Sequence, residues 1–284
     1  MQHVRFADGS TRPALGLGTW RMGESARARA AEVAAVRLAL EIGYRVIDTA
    51  EMYGEGGAEE VVGQALAEAL RAGTVTRDQV FVVSKVYPHN ASRAGVRAAC
   101  ERSRQRLGLD RIDLYLLHWR GQHPLAETVA GFEELQSRGW ITQWGVSNFD
   151  VDDMEELLRL RGGTACAANQ VNYSLGERGA GFALLPWLQH HGMPLMAYCP
   201  IDQGRLAGDA ALAAVAQRHG ASASQVALAW ALQQPGVMAI PKAVREAHLR
   251  ENFAAASLQL TAADLAEIDA RFPPPKRRGS LAMV

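Results

Sequence analysis

One pattern constrains this 284-residue chain more than any other: short apolar runs alternate with helix-like segments along almost its whole length. The runs are residues 15–19, 44–48, 80–85, 112–118, 141–146, 167–171, 194–198 and 237–240. Several are rich in β-branched or aromatic residues and carry no polar alternation, as strands buried on both faces should be. Most lie roughly 25–40 residues apart, the span of one strand, one helix and two loops. Between them, 30–41 is rich in Ala, Val and Leu and stops at Gly43, and 58–70 repeats that form. Residues 92–107 end at Gly108 and 125–137 at Gly139. Asp150 is placed to cap a helix through 160, 224–233 ends before Pro235, and 261–270 ends before three prolines.

Alternating strand and helix implies a parallel sheet. Eight runs favour closure into a (β/α)8 barrel of the TIM type, an α/β fold that needs about 250 residues and so nearly fills residues 1–284 as a single domain. Residues 3–6 and 11–13, around Asp8-Gly9, suggest a small hairpin ahead of it. The competing fold is an open dinucleotide-binding sheet, which needs G-x-G-x-x-G after its first strand. The chain offers only Gly16-Leu17-Gly18 inside a strand and Gly54-Glu55-Gly56-Gly57 in a loop, and neither has the spacing.

Composition narrows the function classes. Lys plus Arg and Asp plus Glu are each 30, so no basic excess points to nucleic acid. The Lys276-Arg277-Arg278 run reads as a solvated tail. No stretch approaches the ~18 apolar residues of a membrane span, and residues 1–6 lack a signal-peptide core. Cys100, Cys166 and Cys199 fit neither a disulfide framework nor a zinc spacing and suit a reducing cytoplasm. The 8 histidines show no His-x-His or His-Glu-x-x-His spacing, so no metal is expected.

In such a barrel, function gathers at the C-terminal ends of the strands. The runs end in turn at Thr19-Trp20, at Asp48 with Tyr53 close behind, at Ser84-Lys85, at His118-Trp119 and at Ser147-Asn148. The last three hold Asn169-Gln170, Tyr198 and Pro241-Lys242. Singly, each has a plain structural role as a helix cap, a snorkelling cation or core packing. Together, Asp, Tyr, Lys and His on consecutive strands make a coherent proton donor. A carbonyl accepting a hydride becomes an alkoxide and needs a proton. Tyrosine can supply one, although its free pKa is about 10. A neighbouring ammonium favours the phenolate, an aspartate keeps that ammonium charged, and an imidazole can orient the substrate oxygen.

At these residues the sequence resembles the aldo-keto reductase family, over residues 15–252. Asp-Thr-Ala-Glu-Met-Tyr at 48–53, Ser-Lys-Val at 84–86 and Asp-Leu-Tyr-Leu-Leu-His-Trp at 113–119 carry the likeness. The resemblance implies a catalytic set of Asp48, Tyr53, Lys85 and His118 and an NADPH site. Gly-Val-Ser-Asn-Phe at 145–149 implies that Ser147 and Asn148, with Gln170, bind the nicotinamide amide, and Tyr198 is expected to stack on the ring. Thr19, Trp20, Pro200 and Ile201 complete that side. Ile-Pro-Lys-Ala-Val-Arg at 240–245 is similar to the adenosine-phosphate segment. It implies that Lys242, Ala243, Val244, Arg245 and His248 hold the 2′-phosphate end, with Glu251 and Asn252 at the adenine. Two departures, Ala243 for a hydroxyl residue and His248 for an arginine, leave NADH use open beside NADPH.

Trp20, Met52, Tyr87 and Trp119 are the candidate substrate pocket, and short loops suggest a shallow, open one. The whole chain is similar to bacterial members of the family described as methylglyoxal reductases, so small 2-oxoaldehydes are expected substrates. The expected protein is a cytoplasmic monomer acting on a small carbonyl compound. Two rivals are a slow cofactor-binding redox sensor on the same fold and a metal-dependent barrel hydrolase.

Overall fold

The structure, a computed structural model, describes residues 2–284. Eight parallel strands follow one another in chain order around the sheet. They are β3 (Leu17–Gly18), β4 (Val46–Asp48), β5 (Phe81–Val86), β6 (Ile112–Leu117), β7 (Ile141–Ser147), β8 (Cys166–Asn172), β9 (Leu195–Tyr198) and β10 (Val237–Ala239). Ahead of them, β1 (His3–Arg5) and β2 (Thr11–Pro13) pair antiparallel as the expected hairpin. The sheet curls until its ends meet: Leu15 bridges Ala239, and Gly18 bridges Lys242. The Gly16 N–H donates to the Ala239 carbonyl at 2.9 Å and the Gly18 N–H to Pro241 at 3.1 Å. A Cβ at Gly18 would lie 2.6 Å from the Ile240 carbonyl oxygen, so this seam requires glycine.

A helix follows each strand. These are α1 (Ala26–Ile42), α2 (Gly57–Arg71), α3 (Arg93–Leu107), α4 (Leu125–Ser137), α5 (Val151–Arg159) and α6 (Leu184–His190), then α7 (Ala210–His219) and α8 (Ala223–Leu232), and finally α9 (Glu246–Ala255) and α10 (Ala262–Arg271). Their starts obey local chemistry. Ser92, Asp150, Ser222 and Thr261 each accept a backbone N–H with the side chain, and the last three close capping boxes. Sequence patterning does not announce α6 or α7. The first is short, and α7 is so alanine-rich that its two faces differ little in polarity.

The strands are buried almost throughout, and a second apolar layer lies between barrel and helices. There Phe132 of α4 stacks on Trp144 of β7 with ring centres 5.2 Å apart and meets Tyr115 of β6 edge-on. Toward the C-terminal ends of the strands Asp48, Ser84, Lys85, Ser147, Asn169 and Gln170 are all buried. A barrel wall without free edges forces those ends to face one mouth.

Candidate active site

The mouth holds a cavity of about 710 Å³. Asp48 closes β4 and reaches it directly. Tyr53 follows on a tight turn whose residues Gly54, Glu55 and Gly56 all have positive φ (58°, 52° and 92°), which swings the phenol back over the strand ends. Lys85 points inward from β5, and His118 stands one residue past β6. These four, supplied by the ends of three successive strands, come together. The Lys85 ammonium spends its three donors on Asp48 Oδ2 at 2.8 Å, the Thr49 carbonyl at 2.9 Å and the Tyr53 hydroxyl at 3.2 Å. The His118 ring meets the Tyr53 ring edge-on at 5.6 Å.

Their environment decides their protonation. Burial, then the Asp48 and Cys199 charges, pushes the Tyr53 phenol well above its ordinary value of 10. Before substrate arrives, desolvation therefore outweighs the expected lowering by the lysine, and Tyr53 holds its proton. Burial, followed by the Lys85 charge, holds His118 well below 6.5, so its imidazole is neutral. Burial pulls Lys85 below its ordinary range while Asp48 resists. It pushes Asp48 up while Lys85 resists.

The two amides beside this group already hold partners within the protein, Gln170 on its nitrogen and Asn148 on both ends. Gln170 donates its Nε2 to Asp48 Oδ1 at 2.7 Å, leaving its side-chain oxygen Oε1 with no hydrogen bond from any described residue, in a side chain that lines the cavity. Asn148, at φ 61°, donates to the His118 carbonyl at 3.1 Å and accepts from the Tyr198 hydroxyl at 2.9 Å. The Tyr198 ring lines the same wall, next to Cys199, Pro200 and Ile201. Farther along, Lys242, Arg245 and His248 make a cationic end beside Glu251 and Asn252. The Arg245 guanidinium donates to His248 Nε2 at 2.7 Å, which makes that nitrogen an acceptor here. A free amide oxygen and an aromatic face at one end, with cations near the start of α9 at the other, fit a nicotinamide dinucleotide carrying a 2′-phosphate.

Trp20, Met52 and Trp119 also line the cavity, while Lys85 lies wholly buried behind Tyr53 and Asp48. Five of the expected cofactor and substrate residues do not line it. Thr19 is buried and donates to the Asp48 carbonyl at 2.9 Å, and Ser147 is buried and donates to the Gln170 carbonyl at 2.8 Å. Both act behind the wall, through residues that reach it. Ala243 is buried and Val244 packs against the core. Tyr87 packs edge-on against Trp119 at 5.8 Å and on His89 at 4.6 Å, outside the lining.

Other lining residues carry no sequence signal. Arg21, at φ 64°, lays its guanidinium over the Trp20 ring at 4.6 Å. Gln203, Gly204 and Ala207 come from an irregular segment after β9. Met283 and Val284 come from the tail, which is not simply solvated: Arg278 pairs with Asp150 at 2.8 Å and Asp152 at 2.9 Å, turning the chain end back toward the mouth. The pocket is therefore more enclosed than short loops suggested. A second, more open cleft beyond Asp202 contains Arg178, Arg205 and Arg271, each already paired with a carboxylate.

Among the described residues no three His, Cys, Asp or Glu side chains cluster as a metal site, and no helix is long and apolar enough to cross a membrane. Comparison with known proteins gives concordant findings. A model described as "Aldo/keto reductase family" matches residues 14–271. Methylglyoxal reductase YeaE of Escherichia coli is 49% identical over 99% of this chain and 98% of its own length. Glyoxal reductase of Bacillus subtilis is 35% identical over 94% of this chain and 91% of its own. A crystal structure of an aldo/keto reductase from Klebsiella pneumoniae with NADP and acetate superposes with a TM-score of 0.94, at 49% identity, covering 99% of each chain.

Proposed function

The chain belongs to the aldo/keto reductase family, and from that premise we propose that it is an NADPH-dependent reductase of small aldehydes and ketones, 2-oxoaldehydes such as methylglyoxal foremost. One observation carries the reading: a phenol and an imidazole share a cavity wall, and the phenol oxygen sits 3.2 Å from a buried lysine nitrogen. When bound, NADPH supplies the hydride.

The chain's own residues do the rest. The imidazole of His118, its Nδ1 buried without a partner, presents its other nitrogen to the substrate oxygen and orients the carbonyl. Tyr53 gives its proton to that oxygen as negative charge builds there. The phenolate left behind accepts from the Lys85 ammonium, and Asp48 offsets that cation. Gln170 and Asn148 read the nicotinamide amide. Because its Nε2 is held by Asp48, Gln170 acts there as an acceptor and fixes which way the amide lies. Tyr198 covers one face of the ring and leaves the other to the substrate. Lys242, Arg245 and His248 hold the 2′-phosphate, with Glu251 and Asn252 at the adenine. Exposed imidazole in place of guanidinium at 248 leaves room for slower use of NADH.

Trp20, Met52 and Trp119 give substrate an apolar, aromatic wall that suits small carbonyl compounds. We place the protein in the cytoplasm as a monomer, with residues 1–284 as one catalytic domain. The test is a panel of small aldehydes with NADPH, followed at the reduced-nicotinamide absorbance band. Rapid NADPH loss with methylglyoxal, abolished in Tyr53→Phe while NADPH still binds, is the expected result. No loss with any member sinks the reading. A stopped-flow hydride-transfer rate separates a working reductase from a slow cofactor-bound sensor.

A further inference from the structure

Behind the barrel wall lies a buried carboxylate that the chemistry above does not use. Glu59, on the first turn of α2, is fully buried. Its Oε1 accepts from the Ser84 hydroxyl at 2.5 Å and its Oε2 from Arg106 Nε at 2.6 Å. Each partner adjoins an element that carries one half of the proton-transfer pair. Ser84 precedes Lys85 on β5; strand alternation sends the lysine inward to the phenol and the serine outward to α2. Arg106, near the end of α3, lies against the turn that presents Tyr53: a Cβ at Gly56 would come within 2.5 Å of Arg106 Nε. The carboxylate therefore ties the strand of the ammonium to the turn of the phenol.

We propose that Glu59, with Ser84 and Arg106, forms a positioning clamp that sets the separation of the Tyr53 hydroxyl from the Lys85 ammonium. The claim deepens the reductase reading and rests on Tyr53 as its acid. The physical ground is that the two reacting groups are held by different elements, a left-handed turn and a strand, and that Glu51, whose N–H donates to the Lys85 carbonyl at 3.3 Å, ties them ahead of the turn while Glu59 ties them behind it. A charge-assisted hydrogen bond to a fully buried carboxylate is short, directional and costly to leave unmade. A displacement of about 1 Å in such a pair is enough to slow a proton transfer by orders of magnitude.

The test uses the full chain and three variants. Ser84→Ala removes one tie and leaves the Glu59–Arg106 pair in place. Glu59→Gln removes the charge at constant size. Ser84→Thr keeps the hydroxyl. Two readouts accompany thermal melting: steady-state kinetics with NADPH, and 13C NMR of protein labelled at the tyrosine ζ-carbon, with the Tyr53 resonance assigned by its loss in Tyr53→Phe. The resonance reads the phenol–ammonium contact without turnover. Ser84→Ala and Glu59→Gln are expected to move it and to lower kcat by about tenfold or more, with KM and the NADPH dissociation constant held within about twofold. Ser84→Thr is expected to restore both. An unmoved resonance in Ser84→Ala, with only the melting temperature lowered, overturns the clamp and leaves Glu59 a structural residue. Wild-type protein inert toward every aldehyde would strike the reductase reading, while the resonance would still decide the clamp.

Discussion

The two ends of the barrel are built on opposite principles. At the base, the hairpin plugs the strand starts with Val4 and Phe6, and Phe6 meets Phe81 at 5.6 Å. The Arg12 guanidinium lies over the Phe81 ring at 4.8 Å, and Asp8 accepts from the amide of Gln143 at 2.7 Å. At the mouth, a carboxylate, an ammonium, a phenol and an imidazole are buried together, each moved away from its ordinary pKa. Backbone strain follows the same division. Among the described residues the non-glycine positions with positive φ are Arg21, Glu55, Asn148, Cys199, Asp202 and Gln203, and all lie on or beside the mouth. One end is optimised for burial, and the other holds conformations and charges that folding alone would not select.

Breaking the comparison at its strongest point means removing one oxygen. Tyr53→Phe should lower turnover by about 10²–10⁴-fold, the usual worth of a positioned acid, with little change in melting temperature. Activity lost in step with stability would mean that the mouth is structural after all. The converse at the base is Phe6→Ala. It should cost about 3–5 kcal/mol in denaturant unfolding while the kcat of the folded protein stays unchanged.

Smaller effects sharpen the division within the mouth. Lys242→Ala should weaken NADPH by roughly 10- to 100-fold, as expected for about 1.5–3 kcal/mol of charge-assisted hydrogen bonding, and leave NADH nearly untouched. Equal losses for both cofactors would move the 2′-phosphate away from Lys242. The smallest expected change is none. The phenol, its pKa raised, stays protonated until pH climbs past its ordinary value, and the imidazole, its pKa lowered, stays neutral down past its own. Reductive kcat at saturating NADPH should therefore be flat from about pH 7 to pH 9. His118 adds a stability effect of the opposite limb. Its depressed pKa contributes stability that is present above about 6.5 and is lost as pH falls below that value. His118→Gln should flatten the acid side of a melting-temperature profile.

The four catalytic candidates were legible because barrel logic turns position at a strand end into position at the mouth. Gln170, Asn148 and Tyr198 followed from the same rule. The rule could not tell a residue that reaches the cavity from one that braces it. Thr19 and Ser147 sit at the right strand ends but spend their hydroxyls on the Asp48 and Gln170 carbonyls. Nor could it find Arg21 or Gln203, whose side chains are aimed by left-handed backbone that no local pattern marks.

By itself the sequence determined the alternation of elements, the helix caps and the order in which polar groups arrive at the strand ends. All of these depend on near neighbours and on hydrophobic periodicity. Only the tertiary structure decided that burial keeps the Tyr53 phenol protonated against the pull of Lys85, and that the amide of Gln170 is already taken by Asp48. It also decided that Arg278 folds the chain end onto the mouth through Asp150 and Asp152. Desolvation and long-range contact are sums over groups distant in the chain, so they have no value until the chain has closed.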